Sequence, residues 1–143
     1  MIQRVQSIYL LLVVIISAVL FLVPVFYIEH TGVAAQMGTT SFSIATNSLL
    51  LIISCAIGAI ALVSIFMYRK RMTQTKACNL NMILICVLVG LLFYTADTLN
   101  GMDAKVHYQF GTYLPLIQLV FTFLALRAIK KDEDLVRSAN RLR

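Results

Sequence analysis

The chain has 143 residues, of which 60% are hydrophobic and 13% charged, with a net charge of +6 and a mean hydropathy of +0.89. Soluble domains carry about a quarter charged residues, so this composition excludes an ordinary soluble fold, and the length leaves no room for a separate catalytic domain. The Lys and Arg residues flank apolar runs, so the charge is read as membrane topology and nucleic acid is set aside as a partner.

Residues 5–28 are uncharged, and from residue 8 to residue 25 only Ser17 interrupts the apolar character. That length suits a membrane span, placed over residues 6–28. It is too long for the apolar core of a signal peptide and too far from the small residues at 33–35. Pro24 is expected to kink its last turns. Residues 30–43 are rich in Gly, Thr, Ser and Gln and read as an exposed loop. A second span covers residues 46–68 and stops at Arg69, Lys70 and Arg71, with Tyr68 at the interface and Lys76 closing the basic loop. The third, over residues 78–96, has Asn79 and Asn81 near its start. A polar turn with Asp97, Asn100, Gly101 and Asp103 leads to the fourth, over residues 108–128, with Pro115 at its first position or kinking its first turns. The remaining residues, 129–143, place Leu135, Ala139 and Leu142 on one helical stripe, with Asp132, Glu133 and Asp134 turned to water or a partner.

All Lys and Arg except Lys105 fall at the amino terminus, in the loop after the second span or beyond the fourth. The positive-inside rule then puts both termini in the cytoplasm. Short connections make consecutive helices antiparallel neighbours. The fold class is therefore an all-α membrane protein, a four-transmembrane-helix up-down-up-down bundle with a short amphipathic C-terminal helical tail, forming one membrane domain over residues 1–143. No internal repeat suggests an inverted-repeat transporter.

Glu29, His30, Asp97, Asp103 and His107 share the outer side, and imidazole with carboxylate suits a divalent metal. His30, His107, Glu29 and Asp103 are the metal candidates, but no i, i+3 or i, i+4 spacing preorganises them, and polar residues that end helices in water explain them as well. No Ser-His-Asp or Cys-His arrangement and no phosphate-binding glycine loop is present, so no catalytic or cofactor residue is assigned. No span carries a charged residue at mid-depth, which counts against an ion-coupled pump. Gln118 is the polar exception, and its amide is expected to bond a Ser or Thr on a facing helix. Ser17 and Thr122 are expected to bond across helices in the same way. Ser54 with Gly58 and Cys86 with Gly90 are small-residue pairs four apart, expected to pack helices closely, within the monomer in preference to against another subunit. Cys55, Cys78 and Cys86 read as buried, small, apolar side chains.

The start MIQRVQSIYL and the end LALRAIKKDEDLVRSANRLR resemble a family of small four-span membrane proteins of unknown function from Bacteroidetes-type bacteria. The resemblance implies a bacterial cytoplasmic (inner) membrane location and places Gln3, Arg4, Gln6, Arg127, Asp132, Glu133, Arg137 and Arg141 in motifs on one membrane face. With both termini inside, these residues form a cytoplasmic polar cap in which Arg4 sits beside the acidic run of the tail.

The reading that follows is a non-enzymatic accessory or scaffold subunit, without a cofactor. Its partners are the lipid bilayer and either another membrane protein or further copies of the chain. A small-molecule transporter or ligand binder using the interior near Gln118 is the first alternative. A metal-dependent membrane enzyme with an outer-face His and carboxylate site is the second.

Overall fold

The computed structural model describes residues 3–30, 38–67, 71–100 and 104–141. The apolar runs form four helices, α1 (Gln3–Leu22), α2 (Ser48–Phe66), α3 (Arg71–Asn100) and α4 (Phe110–Arg141). Three strands, β1 (Phe26–His30), β2 (Thr39–Phe42) and β3 (Ala104–Tyr108), make an antiparallel sheet in the order β2-β1-β3. Three helical stretches, Ser48–Phe66, Met72–Asn100 and Phe110–Leu135, are long and apolar enough to cross a membrane. The apolar part of α1, Gln6–Leu22, is shorter.

The sheet is the main departure from the sequence reading. Pro24 disfavours helix at the residue before it and cannot supply a helical N–H. The Val25 N–H instead donates to the Phe42 carbonyl at 2.8 Å, and the segment taken for the end of the first span becomes β1. Its alternation then decides which side is buried: Phe26 and Ile28 face inward, whereas Glu29 is exposed. Part of the expected loop is β2, entered through Gly38 at φ 67°, a left-handed conformation that glycine adopts without steric cost. The expected polar turn is shortened from both sides, because α3 runs on to Asn100 and β3 begins at Ala104.

In the helical body, α1 packs on α2 and α4, and α3 packs on the same two helices. Asn47 caps α2 by accepting the Leu49 N–H on Oδ1 at 3.0 Å, satisfying one of the open donors of a helix start. The sheet is joined to the helices by aromatic rings and by backbone. Phe26 and Phe42, paired across β1 and β2, stack with centroids 4.4 Å apart and planes 6° from parallel. Tyr108 meets Phe93 of α3 at 6.0 Å. The Val25 carbonyl accepts from Gln109 N–H at 2.9 Å and from the Thr112 hydroxyl at 2.5 Å, pinning the start of α4 to the end of α1. Pro115 lies inside α4 rather than at its first position.

Two apolar clusters fill the interior. One, beneath the sheet, includes Leu20, Val25, Phe26, Ile44, Ile57, Ile85 and Leu88. The other, toward the opposite ends of the helices, comprises Leu10, Cys78, Ala125, Leu126 and Ile129. Past this second cluster α4 continues as one unbroken helix to Arg141, so the amphipathic tail is an extension of the fourth helix.

Candidate functional site

Between the two apolar clusters the buried side chains turn polar. Ser17 on α1, Asn81 on α3, and Gln118 and Thr122 on α4 are all buried, and none belongs to either cluster. Each follows from helical spacing. Asn81 is one turn beyond Cys78 on the face that continues to Ile85 and Leu88, and Thr122 and Gln118 continue the face of Ala125 toward Leu114. Gln118 donates from Nε2 to the Ser17 hydroxyl oxygen at 2.6 Å and to the Val13 carbonyl at 3.2 Å. The expected bond to a hydroxyl on a facing helix is thus present. Ser17 donates its own proton to the Val13 carbonyl at 3.0 Å. Thr122 does not bond across helices as expected: its hydroxyl donates to the Gln118 carbonyl one turn back, at 2.9 Å, the usual recourse of a threonine inside a helix.

Among the described residues, three buried side chains keep atoms without a protein partner: Asn81 with both amide atoms and Gln118 with Oε1 in this layer, and Ser54 with Oγ on α2 between Leu50 and Ile57 of the first cluster. Sequence reasoning passed over Asn81 because the span was begun near it. In the structure α3 starts at Arg71, which sets Asn81 about three turns into the helix.

Three of the metal candidates, Glu29, His30 and His107, lie in strands of the sheet. Glu29 of β1 faces Lys105 of β3, and His107 is its diagonal neighbour, so all three share the outward face. His107 Nε2 and Glu29 Oε2 are 3.1 Å apart, with the two side chains 58% and 52% exposed. His30 lies opposite Ala104 in the ladder; its side chain and all of Asp103 fall outside the described residues. Among the described residues no group of three metal-binding side chains assembles. An exposed pair in water contributes about 0–1 kcal/mol. Glu29→Gln is accordingly expected to move the unfolding free energy by no more than about 1 kcal/mol, read by denaturant titration in detergent. A larger loss would show that the pair does more than join two strands.

At the other end, Gln6 is buried and donates from Nε2 to the Ala128 carbonyl at 3.3 Å, tying the start of α1 to α4. Gln74 donates to the Ser64 carbonyl at 3.1 Å and ties α3 to the last turns of α2. Asp132, expected with its acidic neighbours to face water or a partner, is 8% exposed and so does not face water. The reason is register: Ala125, Ile129 and Asp132 fall on one helical face, and the buried stripe of α4 simply runs on through the charged segment. Arg127 and Asp134 are exposed and Glu133 is partly buried. The side chains of Gln3, Arg4, Arg137 and Arg141, and therefore the expected contact of Arg4 with the tail, lie outside the described residues.

The two small-residue pairs separate. Ser54 is buried, and a side chain built on Gly58 would meet the Ser17 Cβ at 3.4 Å, so that pair lets α2 approach α1. Cys86 and Gly90 lie on the exposed face of α3, with nothing within 4 Å of a Cβ at Gly90. Cys78 is buried as expected, but Cys55 and Cys86 are exposed. Beside the sheet, Phe42, Asn47, Tyr94, Thr95, Thr98 and Leu99 line an open groove of about 220 Å³ with no charged residue in it. The hydroxyl protons of Thr95 and Thr98 are spent on carbonyls of their own helix, those of Leu92 and Tyr94.

The sequence profile of the family described as Domain of unknown function (DUF4293) matches residues 2–142. No curated protein and no solved structure matches the chain.

Proposed function

The chain belongs to the DUF4293 family, a domain of unknown function, and from that starting point we propose that it is a non-enzymatic accessory or scaffold subunit of the bacterial cytoplasmic membrane. In this reading the four helices cross as an up-down-up-down bundle with both termini inside. The short apolar part of α1 is completed by Val25, Phe26 and Ile28, which extend its buried surface toward the outer interface. Phe93, Tyr94, Tyr108, Phe110 and Tyr113, all exposed near the sheet, supply the aromatic belt that membrane interfaces favour.

The observation that carries the scaffold reading is the length of α4. At 1.5 Å per residue its 32 residues run about 48 Å, well beyond a hydrocarbon core of about 30 Å. Ile129 and Asp132 are packed against the bundle while Lys130, Lys131 and Asp134 remain exposed, so the helix leaves the membrane as an anchored post with charged sides. A partner subunit or another copy of the chain would dock there.

The test is mild-detergent extraction of a tagged chain from native membranes, with mass spectrometry of what accompanies it. A stoichiometric protein or a homo-oligomer is expected. A solitary chain carrying a small molecule would sink the scaffold reading and favour the ligand binder, for which the unpartnered Gln118 oxygen speaks. Because Asp132 is buried, the docking test uses its neighbours: Glu133→Lys with Asp134→Lys should cut partner recovery about tenfold, a loss of about 1.4 kcal/mol.

A further inference from the structure

The polar layer has a donor shortage that can be counted atom by atom. Gln118 Oε1 needs a hydrogen. The Ser17 and Thr122 hydroxyl protons are already given to the carbonyls of Val13 and Gln118, and both Gln118 amide protons go to Val13 and Ser17. None of these groups has a proton left for that oxygen. Asn81 is in the complementary position, with two amide protons and a carbonyl oxygen all unspent at 1% exposure. Both residues belong to the stretch between the same two apolar clusters, Asn81 one turn from Cys78 and Gln118 two turns from Ala125.

Leaving three amide atoms unsatisfied in an apolar interior is costly, and more so in a membrane, where lipid offers no hydrogen bond. Buried water makes two to four bonds to such groups and both donates and accepts. A charged guest is disfavoured, since none of these side chains carries a charge to meet it. We infer that ordered water occupies the layer between the apolar clusters, bridging the Asn81 amide to the Gln118 side-chain oxygen. The water accepts from Asn81 Nδ2 and donates to Gln118 Oε1. A second water supplies the donor for Asn81 Oδ1. The site is a hydration layer built from neutral groups, and it stands whether or not the scaffold reading of the cytoplasmic post does.

The decisive measurement is water-to-amide magnetisation transfer on the full chain, uniformly labelled with ¹⁵N, in lipid nanodiscs. The Asn81 side-chain amide is expected to receive transfer from water, as that of exposed Asn100 at the end of the same helix does, while the buried backbone amides of Ile85 and Leu88 do not. No transfer to Asn81 would overturn the inference, whether because the two amides bond directly or because the layer is dry. Asn81→Leu gives a second reading by sign. A bridged amide predicts a melting temperature lowered by several degrees, because Gln118 Oε1 then loses its donor. A rise would show that Asn81 was simply unsatisfied, and would also overturn the inference.

Discussion

Phe26→Ala is expected to cost about 3–5 kcal/mol of stability, the range for deleting a fully buried aromatic ring. Phe26 has no solvent exposure and is among the largest wholly buried side chains of the chain. Its ring is also the contact on which Phe42 lies flat at 4.4 Å, so the truncation leaves a cavity and strips a stacking partner from β2 at once. Denaturant or thermal unfolding in detergent, followed by near-ultraviolet circular dichroism, should show the loss. Phe26→Leu, which keeps much of the volume, should recover a good part of it. A Phe26→Ala variant as stable as the parent would mean that the sheet does not hold the helices together.

Gly111→Ala is expected to be the second most damaging small change, at about 1–3 kcal/mol. A Cβ at this position would overlap the Pro24 carbonyl oxygen and stand 3.0 Å from the Val25 Cα. Both obstacles are backbone, held by the bonds that Gln109 and Thr112 send to Val25, so neither can swing aside. The matched control is Gly90→Ala on α3, where a Cβ meets nothing within 4 Å. There the better helix propensity of alanine should raise stability by up to about 1 kcal/mol. Opposite signs at two helical glycines, in one unfolding assay, would establish that backbone approach at the α1–α4 junction sets the difference. Equal effects would refute it.

The helices and the sheet were unequally legible in the sequence, for physical reasons. Charge-free runs marked α2, α3 and α4 because lipid demands apolar length and water demands charge at the ends, as Arg69, Lys76 and Arg127 supply. The sheet left fainter marks. Phe26, Tyr27 and Ile28 continue the apolar run of α1, and only Pro24 hinted at a change of state. Thr39, Thr40 and Ser41 have the composition of a loop, and their strand conformation comes from pairing with β1, a tertiary effect. Lys105, Val106, His107 and Tyr108 carry a readable signal, the alternation of polar and apolar residues, but from Val106 onward it merges with the uncharged run read as the start of the fourth helix. In the interior, the polarity of Gln118 in an apolar run revealed it, and its tie to Ser17 follows. Asn81 escaped because its depth depends on where α3 begins, and that boundary lies in a basic segment with no apolar pattern to mark it.

The pairing of β1 with both β2 and β3 also orders events during synthesis. Strand β2 follows β1 closely in the chain, and Phe26 can meet Phe42 as soon as the first hairpin has emerged. Strand β3 pairs with the opposite edge of β1, and the Glu29 to His107 contact spans 78 positions. That edge must wait until α2 and α3 have been synthesised. Because Val25 receives both Gln109 and Thr112, closing the second edge and seating the last helix are one step. A ribosome-bound chain ending before residue 104 should therefore expose the free edge of β1, and that interval is when the nascent protein is most open to mispairing.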